Sequence, residues 1–96
     1  MIKLTSLLSE AKQYQVYHKT FSSAVQLARA TAEKEGYTID EHDWSTQIAF
    51  GSGKPSAGKT FKAHIGLEKN GKPAKKILAI QVYGMPTQYE LNFYIA

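Results

Sequence analysis

Residues 51–60, GSGKPSAGKT, carry Gly53, Gly58, Lys59 and Thr60 at the spacing G-x-x-x-x-G-K-[ST]. Between a strand and a helix, that spacing wraps backbone N–H groups around a phosphate and sets an ammonium beside it. A second set, Asp40, Glu41, His42 and Asp43, offers oxygen donors and one imidazole, the ligand chemistry of Mg²⁺, Mn²⁺ or Ca²⁺. A third set is basic. Lys54, Lys59, Lys62, Lys69, Lys72, Lys75 and Lys76 fall in one stretch with a single acid, Glu68, whereas residues 33–43 hold five acids against Lys34. Lysines in that density attract phosphate through counterion release, without reading sequence. His18 and His64 stand alone, and no Ser-His-Asp or paired-carboxylate arrangement appears at motif spacing. The expectation is binding rather than catalysis.

Each set depends on the elements that position it. The chain has 96 residues, and at this size about 60 to 65% of the unfolded surface is buried, which supports one modest core and one domain. The 43% hydrophobic and 21% charged content is that of a folded chain. There is no cysteine, so disulfides and thiolate metal sites are excluded. No apolar run nears the roughly 18 residues of a membrane span, so no membrane partner is expected. Residues 1–11, MIKLTSLLSEA, are too broken by polar residues for a secretory signal.

Residues 20–35 place Phe21, Ala24, Val25, Leu27, Ala28, Thr31 and Ala32 on one helical stripe, with Gly36 just beyond. The period then changes to two. Strands are predicted near 46–50, with Ile48 and Phe50 inward, and at 60–68, 75–83 and 88–95. Asn70-Gly71 is a strong two-residue hairpin signal. Centred there, Phe61 pairs with Ile80 and Ala63 with Leu78. A connection over 84–87 then sets Val82 opposite Tyr89, Ile80 opposite Leu91 and Leu78 opposite Phe93. Apolar meets apolar throughout. The predicted fold is α+β, a two-layer sandwich with one helix packed on a four-stranded antiparallel meander, in the order αββββ.

This frame decides the first two sets. The segment after Thr60 alternates as a strand, so no helix N-terminus awaits a phosphate, and Pro55 removes one N–H from the loop. The stretch reads as a hairpin loop, and no cofactor is expected. The acidic set matches no calcium loop and has no second cluster to complete a site; it reads as a solvated turn anchored by Trp44, with no metal. The second face of the sheet is more informative. In this register His64 faces Ile77 and Ile77 faces Tyr94; Lys62, Ala79 and Asn92 form the next row, with Gln81 and Tyr83 near the edge. One helix cannot cover both faces. Aromatics beside lysines suit single-stranded nucleic acid, aromatics with Ile suit a protein interface, and residues 1–19 could also cover this face. Nucleic acid and a protein partner stay open as alternatives, as does the oligomeric state.

Residues 1–11 have Ile2, Leu4, Leu7 and Leu8 in a loose amphipathic pattern, ending in Leu8-Ser9-Glu10 before the small Ala11. This resembles the capsid-targeting peptide of internal head proteins in T-even-type tailed phages. The resemblance implies cleavage after Glu10 by a prohead protease, carriage in the virion, and action in the virion or the host cytoplasm. Residues 12–96 would then be the working domain. The expected function is a small non-enzymatic virion-associated or host-directed binding protein that uses its exposed sheet face and lysine-rich hairpins. The alternative is a nucleic-acid-binding module with no packaging role.

Overall fold

The computed structural model describes residues 14–51 and 53–96; the targeting stretch, with Leu8, Glu10 and Ala11, lies outside them. In chain order the elements are β1 (Tyr17–His18), α1 (Phe21–Lys34), β2 (Thr38–Ile39), α2 (Glu41–Trp44) running into a π-helical turn (Ser45–Ala49), β3 (Thr60–Lys69), β4 (Lys72–Gly84) and β5 (Tyr89–Ile95). The strands form one antiparallel sheet in the order β1-β5-β4-β3-β2. The class is α+β, as the change of period implies, with five strands rather than four.

Helix α1 starts where Thr20 accepts the Ser23 N–H at 3.0 Å, a side-chain cap for an otherwise orphaned donor. Its stripe packs on the inner sheet face. Ala24, Val25, Ala28 and Ala32 are buried there against Phe61, Ala63, Ile65, Leu67, Leu78, Ile80, Val82 and Leu91. Small residues on the helix let it approach closely, while the sheet supplies the volume. Each fully buried Leu, Ile or Val contributes about 1.5–3 kcal/mol by leaving water, so Ile65, Leu78, Ile80, Val82 and Leu91 are the main apolar drive.

The predicted strand at 46–50 is instead helical. Ile48 and Phe50 suggest alternation, yet Trp44 and Ile48 are four apart and both buried, while Phe50 is 84% exposed. The helical period describes these positions and the period of two does not. Asp40 starts the turn by accepting the N–H groups of His42 and Asp43 at 3.0 and 3.1 Å.

The hairpin turn falls where Asn70-Gly71 places it. Both residues have positive φ, 56° and 77°, which the type I′ turn requires and which Gly tolerates without strain. Lys69 pairs with Lys72 and Glu68 with Pro73, but then Gly66 pairs with Ile77. Ala74, Lys75 and Lys76 therefore oppose Leu67 alone in a bulge, where Lys75 takes φ 57°. The two extra residues move every later pair. Phe61 faces Val82 and Ala63 faces Ile80, rather than Ile80 and Leu78. The next connection is 85–88, one residue later than predicted, and sets Val82 opposite Leu91, Ile80 opposite Phe93 and Leu78 opposite Ile95. Both corrections equal two residues, and a shift of two leaves every side chain on its original face.

Candidate binding surface

The face of the sheet turned away from α1 is largely uncovered among the described residues. Its rows differ from the predicted ones by the same shift. Tyr17, Glu90, Tyr83 and Thr60 form one row, Asn92, Gln81 and Lys62 the next, and Tyr94, Ala79 and His64 the third. Ile77 faces Gly66, not His64 or Tyr94. Tyr17, Tyr83 and Tyr94 are 50%, 40% and 57% exposed, and Lys62, His64 and Gln81 are exposed. The aliphatic groups are recessed: Ala79 is buried and Ile77 half-buried. Tyr17 escapes sequence reading because β1 spans two residues, too few to show alternation.

The seven lysines do not form one patch. Lys62 lies on the open face, while Lys72, Lys75 and Lys76 lie at the β3–β4 hairpin and its bulge. Lys69 turns to Tyr37, with Nζ 4.8 Å from the ring centroid. Lys59 belongs to the closure at the opposite end, where Gly84 N–H donates to its carbonyl at 2.8 Å. Lys54 lies elsewhere, in an open cleft of about 340 Å³ with Lys19, Thr20, Phe21, Ser22 and Tyr89 at the start of α1. In residues 51–60, the lysine brought to a helix start is thus Lys54 rather than Lys59. The stretch itself leads into β3, and no helix succeeds it.

The acidic set diverges. Glu41 pairs with Arg29, which also contacts Glu33 at 3.2 Å and lies 5.0 Å over the Trp44 ring. The bond to Arg29 holds the Glu41 carboxyl below the usual carboxylate range and raises the guanidinium in turn. Asp40 caps α2, and Asp43 Oδ2 accepts the Gly66 N–H at 2.9 Å. Among the described residues, no group of three or more His, Cys, Asp or Glu is placed to hold a metal ion. His18 is buried, with Nδ1 2.6 Å from Ser23 Oγ and Nε2 2.7 Å from the Gln15 carbonyl, so it fastens β1 to α1. Among the described residues no helix is long and apolar enough to cross a membrane.

No family model matches the chain, and neither the curated proteins nor the solved structures provide a significant match.

Proposed function

We propose that the chain is a non-enzymatic binding protein whose outer sheet face takes single-stranded nucleic acid. The observation that carries this reading is the exposure of Tyr17, Tyr83 and Tyr94 on one face that the described residues leave open, beside Lys62, with Lys72, Lys75 and Lys76 at the end of the same hairpin. Exposed rings stack on bases whatever their identity, at about 1–3 kcal/mol per base, and lysines meet the phosphates. A protein partner fits less well. Interface cores concentrate apolar contact and exclude charge, whereas here the aliphatic groups are recessed and the accessible groups are phenols, amides, Lys62 and His64.

The test is a titration of a labelled single strand and a matching duplex at two salt concentrations. Tyr83→Ala and Tyr94→Ala should each weaken single-strand binding by about 1–3 kcal/mol and leave duplex binding little changed. Lys62→Ala should lower the log–log salt slope by about one. Absence of binding to any strand at low salt refutes the reading. The resemblance of residues 1–11 to a capsid-targeting peptide supplies a destination, the phage head and then the host. An intact mass from purified virions tests that part separately: loss of residues 1–10 supports it, and absence of the chain from virions removes it while leaving the binding module.

A further inference from the structure

Each edge of the sheet is a two-residue strand, β1 or β2, and beyond it side chains help to take the place of a missing strand. Strand β3 is the clearer case. Its even-numbered residues turn their N–H and C=O groups outward, away from β4, and β2 answers them only opposite Leu67 and Glu68. Beyond β2 the partners come from α2 and the π-helical turn. The Asp40 N–H donates to the Gly66 carbonyl at 3.0 Å, and the Gly66 N–H donates to Asp43 Oδ2 at 2.9 Å. Gln47 then mimics a peptide unit: its Nε2 donates to the His64 carbonyl at 2.8 Å and its Oε1 accepts the His64 N–H at 2.9 Å. A carboxamide can do both at once because its N–H donor and C=O acceptor are separate atoms arranged as in a peptide group. The spacing fits as well, because four residues of helix rise about 6 Å and two residues of strand advance about 6.6 Å. Residues i and i+4 of the turn, Asp43 and Gln47, thus reach Gly66 and then His64, two residues back along β3. On the opposite edge, the Val16 backbone carbonyl accepts the Leu91 N–H at 2.7 Å, and the Tyr14 hydroxyl donates to the Leu91 carbonyl at 3.2 Å while its ring packs 4.5 Å from that of Phe93.

An uncovered strand edge is a template for another strand. β3 is ten residues long with Phe61, Ala63, Ile65 and Leu67 all on one face. A second β3 laid antiparallel against it would continue the inner apolar row and the outer polar one. We propose that Asp43 and Gln47 guard the β3 edge, holding the hydrogen bonds through which a second copy of this chain would otherwise add, and so keep the protein monomeric. Lys62, the next outward-facing residue, adds a charge to the stretch the turn does not reach.

The test compares the wild type with the Asp43→Ala/Gln47→Ala variant by light scattering over a range of concentrations, with hydrogen exchange at the high end. The wild type is expected to keep the mass of one chain. The variant's average mass should rise with concentration by roughly twofold or more, and the amides of Lys62, His64 and Gly66 should become protected as it does. A variant that keeps the Trp44 near-ultraviolet signal yet stays monomeric overturns the proposal, as does a wild type that already associates with those amides protected. Should the double variant not fold, Gln47→Ala alone decides the matter by the same two readings.

Discussion

Gly66 lies in the middle of β3, where glycine is ordinarily about 0.5–1 kcal/mol worse than alanine because it loses more backbone freedom on folding. Gly66→Ala should nevertheless destabilise this protein. A Cβ at that position lies 3.1 Å from Asp43 Oδ2 and 3.6 Å from both the Cβ and Oδ2 of Asp40. The first distance is tighter than ordinary van der Waals contact, and the atom concerned is the one that accepts the Gly66 N–H. Asp43 has little freedom to retreat, because its turn is also fixed through Gln47 and the buried Trp44. A hydrogen bond to a charged acceptor contributes about 1.5–3 kcal/mol. Losing much of it outweighs the entropic gain, leaving a net destabilisation of about 0.5–2 kcal/mol. In an Asp43→Ala background no carboxylate meets the methyl, so the same substitution should change sign and stabilise by about 0.5–1 kcal/mol. Urea unfolding of the four proteins, followed by Trp44 fluorescence, closes this double-mutant cycle. Stabilisation by Gly66→Ala in the wild type, or an equal loss in both backgrounds, would show that the carboxylate does not set the constraint.

Leu91→Ala, in a fully buried position, should cost about 2–5 kcal/mol, a large part of a small domain's stability, and should appear as a lowered urea midpoint with an unchanged slope. Thr20→Ala removes the acceptor for the Ser23 N–H and should cost about 1 kcal/mol, with Thr20→Ser restoring it in the same assay. The Glu41 carboxyl is held below its ordinary range by Arg29. Its contribution is therefore present above the unfolded carboxylate pKa and disappears as pH falls through the lower folded value. Glu41→Gln should flatten that part of the acid limb in urea midpoints measured against pH, and added salt should shrink the difference between the two proteins because the pair is exposed.

The faces of the sheet are legible in the sequence and the pairings are not, for one reason. Burial acts on alternation, so Phe61, Ala63, Ile65 and Leu67 declare a common side without naming their partners. Partners depend on turns, and a bulge at Ala74, Lys75 and Lys76 or a connection displaced by one residue alters them silently. Errors of two residues survive because they keep apolar against apolar, whereas an error of one would set Lys62 in the core. The segment 46–50 misleads because Ile48 and Phe50, two apart, imitate the alternation of a strand although Phe50 is exposed. The third residue that decides between strand and helix is Trp44, four before Ile48, which in sequence reads as the anchor of the preceding turn. The edge guard is harder still. Gln47 and His64 are 17 residues apart, and a glutamine in a polar stretch carries no mark that its amide will replace a peptide group.

The distribution of charge across the outer face gives the proposed ligand a direction. Lys62 and His64 belong to β3, with Glu68 on the same face nearer the hairpin, whereas Glu90 belongs to β5 and stands directly between Tyr17 and Tyr83. On that proposal a phosphate chain would be drawn to Lys62, kept away from Glu90, and would have to pass Glu68 to reach Lys72, Lys75 and Lys76. Bases attached to it would then point across the sheet toward the rings. Tyr83 and Tyr94 are four residues apart along the strands and one strand across, a separation of about 14 Å at ordinary strand spacings, which leaves room for an intervening base over Gln81. Lys54, in the cleft at the start of α1, lies off that path. The basic stretch of sequence therefore divides in space: Lys62 and the hairpin lysines border the tyrosine face, Lys69 is engaged with Tyr37, and Lys54 faces the cleft at the start of α1. A salt slope that responds to Lys62, Lys72 and Lys76 but not to Lys54 is what this geometry requires, and a response spread evenly over all of them would mean that the lysines act only as diffuse charge.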